Sequence, residues 1–150
     1  MSLVYVDTSV LAKRYVRSEA SDAVDDFFDH ADHRFALSEL CLVEMESVLA
    51  RHARESRGGV LKLPLLRLQF DTDLRLGFFE IHPLTSAVIL KARQLVADGG
   101  VPLATLDALH LSTAIDIAAD AVATDDRQLM RATKARGLNA ISFIQRPQNK

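Results

Sequence analysis

The stretch that most limits how this chain can fold is its beginning, Leu3-Val4-Tyr5-Val6-Asp7-Thr8-Ser9. Four apolar, mostly β-favouring residues run directly into an aspartate and two hydroxyls. A helix-spaced pattern (Val10, Leu11, Tyr15) follows at once. An uninterrupted apolar run of this kind reads as a strand covered on both faces, the type found in parallel sheets. In open parallel α/β sheets, ligands bind beyond the carboxyl ends of the strands. Asp7 stands at such an end, where it serves either chemistry or as the N-cap of the following helix.

The rest of the chain repeats the alternation. Residues 10–16 read as a short helix, 18–21 as a break with capping character, and 22–31 as a helix striped by Ala23, Val24, Phe27 and Phe28. A second strand is expected at 34–37. Ser38 is placed to cap a long helix from 39 to about 57, which Gly58-Gly59 stops. Residues 60–76 have a helical period, which requires Pro64 to fall in the first turn. Strands at 78–81, 120–124 and 139–142 follow, with helices at 85–97, 106–118 and 126–136 beside them. Strands alternating with helices argue an α/β fold, a parallel sheet covered on both faces. The 150 residues, 1–150, suit a single domain whose polar tail from about 146 to 150 reads as frayed.

Composition excludes several functions. The net charge of −2 gives no global basic field, so a nucleic-acid partner would need a local basic patch. Cys41 is the only cysteine, which rules out an intramolecular disulfide and a cysteine zinc cluster, and it reads as a buried, inert thiol. No apolar run is long enough to span a bilayer and no signal peptide is visible, so a cytoplasmic protein without membrane contact is expected.

Four places put a carboxylate where a strand end or helix would present it. Asp7 ends the first strand. Glu44 lies on a mostly apolar helical stretch, on one stripe with Leu40 and Ser47, with Arg51 or Arg54 as alternative ion-pair partners. Asp107 opens an apolar helix, a position that also suits the helix dipole. Asp125 and Asp126 follow the fourth strand, where they read equally as a cap and first-turn acids. Gathered together, such carboxylates repel and raise one another's pKa values unless cations join them. Hard oxygen ligands suit Mg²⁺ or Mn²⁺, and such sites serve phosphoryl transfer.

In order, Val6-Asp7-Thr8-Ser9-Val10-Leu11-Ala12-Lys13, Glu44 in Leu42-Val43-Glu44-Met45-Glu46, Asp107-Ala108-Leu109-His110-Leu111-Ser112-Thr113-Ala114 and Thr124-Asp125-Asp126-Arg127-Gln128-Leu129 resemble a PIN-domain ribonuclease. More narrowly, the chain looks like a VapC-type toxin of a toxin–antitoxin pair. The resemblance implies a three-layer α/β/α fold with a mostly parallel sheet of four to five strands and an acidic pocket at its carboxyl edge. It implies Mg²⁺- or Mn²⁺-dependent endonucleolytic cleavage of RNA by in-line attack of an activated water. Asp7, Glu44, Asp107 and Asp126 would form the catalytic and metal-binding set, with Asp125 the alternative to Asp126, and Glu39 and Glu46 the alternatives to Glu44. Glu44 would accept a water proton or bind a second ion. Thr124 and Ser9 would order the carboxylates by hydrogen bonds, or simply cap their helices.

His110, one turn after Asp107, reads as a buttress rather than a general base. Lys13, Arg14 and Arg17 cluster near the expected pocket, and Arg51, His52, Arg54 and Arg57 extend one helix; Arg14 and Arg17 are the favoured RNA contacts. The resemblance further implies a homodimer and a cognate small antitoxin. Leu63, Leu66 and Phe70 are candidates for the antitoxin surface, or else plain core. Two other readings compete. A haloacid-dehalogenase-like Mg²⁺-dependent phosphatase would need a second acid two residues after Asp7, where Ser9 stands. A catalytically silent PIN-like binding module would be expected to lack part of the acidic set, which is complete.

Overall fold

A computed structural model describes residues 1–30 and 32–144. The element order is β1 (Ser2–Val6), α1 (Thr8–Tyr15), α2 (Ser21–His30), β2 (His33–Ser38), α3 (Glu39–Glu55), α4 (Gly59–Arg75), β3 (Phe79–His82), α5 (Ser86–Ala97), α6 (Thr105–Asp116), β4 (Ala121–Ala123), α7 (Arg127–Ala135) and β5 (Asn139–Ile141). The helix end expected at 31 and the tail at 146–150 lie outside the described residues.

Five strands form one sheet in the order β3-β2-β1-β4-β5, and every pairing is parallel. The chain winds from β1 through β2 to β3, then crosses to the other side of β1 for β4 and β5. The winding direction therefore reverses between β1 and β4, and the carboxyl ends of these two strands form the switch point where α/β sheets bind ligands. The Asp7 N–H donates to the Ala123 carbonyl at 2.9 Å, which carries the ladder one residue beyond β1.

Side chains alternate across the sheet. Val4, Val6, Phe35 and Leu37 pack with Leu11 of α1, Phe28 of α2, Met45 and Leu49 of α3 and Phe70 of α4. Tyr5, Ala36 and Val122 face the opposite layer with Ala114 of α6. Leu95, Leu111 and Leu129 join α5, α6 and α7. Two expected caps are present: Ser38 accepts from the Leu40 N–H and Thr85 from the Val88 N–H. Among the described residues, no helix is long and apolar enough to cross a membrane.

The α4 helix departs from expectation twice. Gly58 takes a left-handed φ of 72° and turns the chain, so the helix begins at Gly59. Gly59 then sits so close to α3 that a Cβ would come within 2.7 Å of the His52 carbonyl oxygen. Pro64 consequently falls in the second turn rather than the first. Its missing N–H leaves the Val60 carbonyl without a helical partner, on a stretch where both residues are exposed to water. The second departure is which leucines stay outside, since Leu63, Leu66 and Phe70 take the core reading open to them. A different stripe, Leu61, Leu65 and Leu68, faces outward at 87%, 57% and 54% exposure.

The end of α6 generates a test of these backbone arguments. The Ala119 N–H donates to the Ala114 carbonyl and the Ala118 N–H to that of Ile115, a Schellman-type ending. Ala118 takes φ 51° there, where a Cβ costs about 1–2 kcal/mol. Its side chain is exposed, so little packing would be lost. Ala118→Gly is expected to raise the unfolding free energy by about 0.5–1 kcal/mol after the greater flexibility of the unfolded glycine is counted. A urea titration checks this, and a lower midpoint would contradict it.

Candidate metal centre at the carboxyl edge

Asp7 is the single residue between β1 and α1. Its backbone occupies the N-cap position, but its side chain makes no capping bond. Instead Oδ2 accepts from Ser9 Oγ at 2.6 Å and from Thr124 Oγ1 at 2.8 Å, while Oδ1 lies 3.3 Å from His110 Nε2. The carboxylate is 5% exposed, a burial tolerable only with such partners. Each hydroxyl also accepts from the β4–α7 turn, Ser9 across the gap between the strand ends and Thr124 within its own turn. Ser9 Oγ takes the Asp125 N–H and Thr124 Oγ1 the Asp126 N–H, both at 3.0 Å. The two strand ends are thereby stitched around one charge.

Glu44 projects from α3 toward the same place. Its Oε1 accepts from Thr8 Oγ1 at 2.9 Å and lies 2.6 Å from His110 Nε2. Burial pushes its pKa up, but the hydrogen bonds from His110 and Thr8 and the His110 charge outweigh this and hold it below the usual range. Of the neighbouring acids, Glu39 accepts from the Leu84 N–H and Glu46 pairs with Arg67, so neither joins the cluster. The alternative pairing of Glu44 with Arg51 or Arg54 is not formed among the described ion pairs.

Asp107 lies in the first turn of α6, and among the described residues its side chain makes no hydrogen bond. Burial, followed by repulsion from Asp126 and Asp7, pushes its pKa up to about 6. Asp126 caps α7, with Oδ1 accepting from the Leu129 N–H at 2.9 Å, and it also lines the pocket. It therefore caps α7 with one oxygen while bordering the cleft. Asp125 turns away. It pairs with Lys13 and accepts from Ser142 Oγ at 2.9 Å and the Phe143 N–H at 2.7 Å.

One cleft is lined by Asp7, Glu44, Asp107 and Asp126, with Ser9 and Thr8 beside them. Lys13, Arg17, Arg51 and Arg54 line it too, the three arginines being exposed. Arg14 does not. Its guanidinium pairs with Asp29 and Asp73 and stacks 4.7 Å over the Phe78 ring, because α1 turns this position toward α2 and α4. Arg17 is held at the cleft by Asp22 and Asp25, both at 2.5 Å.

Two residues outside the expected set join it, Thr8 and Tyr5. Tyr5 Oη lies 2.6 Å from His110 Nδ1. The signal for Tyr5 was its spacing of two from Asp7 on one strand, which puts both side chains on one face. Thr8 carried none beyond adjacency. His110 is 1% exposed, and its pKa is raised well above normal: burial opposes its charge, but Cys41, Glu44 and Asp7 together prevail. Cys41 is fully buried as expected, and ligand atoms of Cys41, Glu44 and His110 lie within 4.8 Å of one another. A donor set containing a thiol suits softer ions, whereas the acidic side chains lining the cleft offer hard carboxylate oxygens. Four carboxylates with a residual mutual repulsion fit a hard divalent cation.

A family model described as PIN domain matches residues 4–135. No curated protein sequence matches significantly. Several solved structures share the fold. FitAcB from Neisseria gonorrhoeae is 19% identical with a TM-score of 0.69, over 93% of this chain and 97% of that one. VapC20 from Mycobacterium tuberculosis, described as a sarcin-ricin loop cleaving toxin, is 14% identical with a TM-score of 0.66, over 86% and 94%. VapBC2 from Rickettsia felis, bound to a DNA fragment from its promoter, is 14% identical with a TM-score of 0.62, over 93% and 98%. Identities this low speak to the fold alone.

The elevated Asp107 pKa has a measurable consequence. A carboxyl group whose folded pKa is raised favours the fold while protonated and loses that contribution as pH rises through about 6. Without metal, Asp107→Asn is therefore expected to raise the melting temperature at pH 8, by about 2–4 °C per kcal/mol of relieved repulsion. At pH 4.5, below the folded pKa and near the ordinary 3.8, the gain should be much smaller. Melting curves in chelator at both pH values check this, and an equal gain at both would remove the repulsion argument.

Proposed function

Because the chain belongs to the PIN-domain family, we propose that it is a divalent-metal-dependent endoribonuclease, the toxin of a VapBC-type toxin–antitoxin pair. The observation that carries this reading is the convergence of Asp7, Glu44, Asp107 and Asp126 on one cleft edged with arginine. PIN domains are nucleases, and the fold neighbours include a toxin described as cleaving the sarcin-ricin loop. Asp7, Asp107, Asp126 and Glu44 would hold Mg²⁺ or Mn²⁺. When bound, such an ion activates water and neutralises charge on the phosphodiester.

The chain's own residues prepare that chemistry. Ser9 and Thr124 occupy Asp7 Oδ2, which leaves Oδ1 as the oxygen for a cation. Glu44, held in its ionised form by His110, is a weak proton acceptor and a good cation ligand, which favours the ligand role. Arg51 and Arg54 supply positive charge at the mouth of the cleft, where a backbone phosphate would lie, whereas the Arg17 charge is engaged by Asp22 and Asp25. Ser9 donates to Asp7 and supplies no acid, which counts against the phosphatase alternative.

An antitoxin partner is supported by the neighbouring complexes, among them VapBC2. The outward stripe Leu61, Leu65 and Leu68 offers an apolar surface for it. A homodimer belongs to the same proposal.

The purified chain is expected to cut RNA with Mg²⁺ or Mn²⁺ and to stop on addition of a chelator; cutting that persists in chelator would sink the metal dependence. Asp7→Asn is expected to abolish cutting with the circular dichroism spectrum unchanged. Arg54→Gln should lower the slope of log affinity for RNA against log salt by about 1. Leu65→Lys is expected to weaken binding to the proposed antitoxin by at least about tenfold, read by titration. Undiminished affinity would move the antitoxin elsewhere.

A further inference from the structure

Tyr5 and Asp7 point to the same face of β1, and His110 of α6 stands between them. The imidazole faces Glu44 Oε1 and Asp7 Oδ1 with Nε2, and Tyr5 Oη with Nδ1. Carboxylates only accept hydrogen bonds, so Nε2 carries the proton directed at the acidic pair. The phenol is completely buried in a strand whose neighbours are valines. A hydroxyl placed there costs free energy unless it is bonded, and phenylalanine would fill the volume without that demand. The Tyr5 oxygen therefore has a use; its polar neighbours are the histidine ring at 2.6 Å and the Cys41 thiol, and of the two only the histidine bridges onward to both carboxylates. The rings meet at 59° with centroids 5.9 Å apart, so the contact is through the polar edge rather than by stacking.

We propose that Tyr5 and His110 are a positioning pair for the metal site. The phenol holds the imidazole edge, and Nε2–H holds the Glu44 and Asp7 carboxylates together. The inference rests on the metal-dependent nuclease reading. Two like charges at one place separate when nothing bridges them, and Glu44 is a flexible side chain on a partly exposed helix face. Ordering it costs rotamer freedom. The Thr8 and His110 bonds spend that ordering in the folded state, before any cation arrives. A cation then meets carboxylates already gathered. Groups that orient metal ligands in this way change metal affinity by about 10–100-fold when removed.

The test titrates Mn²⁺ into the full chain by calorimetry, with RNA cutting and melting temperature measured on the same samples. Tyr5→Phe removes one oxygen and is expected to weaken Mn²⁺ binding by about tenfold, with kcat largely restored at saturating Mn²⁺. His110→Leu should weaken binding further. His110→Gln, whose amide N–H can still reach Glu44, should recover part of that loss. A Tyr5→Phe protein that melts normally and binds Mn²⁺ like wild type overturns the proposal, as does His110→Gln binding no better than His110→Leu when both remain folded. If the histidine variants unfold, the Tyr5→Phe result decides. A wild-type chain that neither binds Mn²⁺ nor cuts RNA overturns the nuclease reading instead. A wild-type chain that does both beside an unaffected Tyr5→Phe overturns only the positioning role.

Discussion

The whole carboxyl edge depends on keeping Asp7 charged while burying it. A carboxylate taken out of water without partners costs several kcal/mol or simply protonates. Here uncharged hydroxyls from both adjoining turns do most of the compensation, on Oδ2. Hydroxyls satisfy Oδ2 without cancelling its charge, and His110, which faces Oδ1, is shared with Glu44; with Asp107 and Asp126 on the same cleft, a negative field that would attract a cation survives. An arginine in their place would have stabilised the fold and filled the site. The strain that remains appears on Asp107, which has no hydrogen-bond partner among the described residues and carries the repulsion of its neighbours.

That arrangement needs the topology. Asp7, Glu44, Asp107 and Asp126 are far apart in sequence and arrive on four different elements. Only the reversal of winding between β1 and β4 puts two strand ends side by side with room between them. The helices complete the set because small residues allow close approach: Ala36, Ala114 and Val122 let α6 settle on the sheet. On the other layer the aromatic cluster around Phe28, Phe35 and Phe79 anchors α2 and the outer strands. Arg14 is drawn into this layer over Phe78, which takes it from the cleft that Arg17 reaches.

Much of this was legible in the residues. The apolar run into Asp7 announced a covered parallel strand, and the alternation of elements announced the sheet. Ser38, Thr85 and Gly58 were readable because capping and turning demand particular residue types. Asp7, Asp107 and Asp126 were legible because each follows a strand or opens a helix, and Glu44 because it interrupts a mostly apolar helical stretch. What escaped was decided by rotation about helix axes and by contacts distant in sequence. Arg14 and Arg17 are three residues apart, and nothing local says which one the Asp29–Asp73 pair captures. Both faces of α4 are leucine-rich, so periodicity could not tell Leu63 from Leu61. The resemblance favoured Asp126 but left Asp125 open as its alternative; Lys13 and Ser142, distant in sequence, hold Asp125 away from the cleft. Pro64 entered the second turn because the tight approach of Gly59 to α3, invisible locally, set where the helix starts.

Asp126 serves two masters, capping α7 with one oxygen while bordering the cleft. Asp107 has no comparable structural duty. In a lineage that had lost the need for chemistry, substitutions at the two positions would therefore accumulate at different speeds. The capping aspartate would persist under selection for folding alone, and the unbonded one would drift early. Among descendants of such a chain, an intact Asp126 is weak testimony that the protein still works, and position 107 is the more sensitive clock of functional decay.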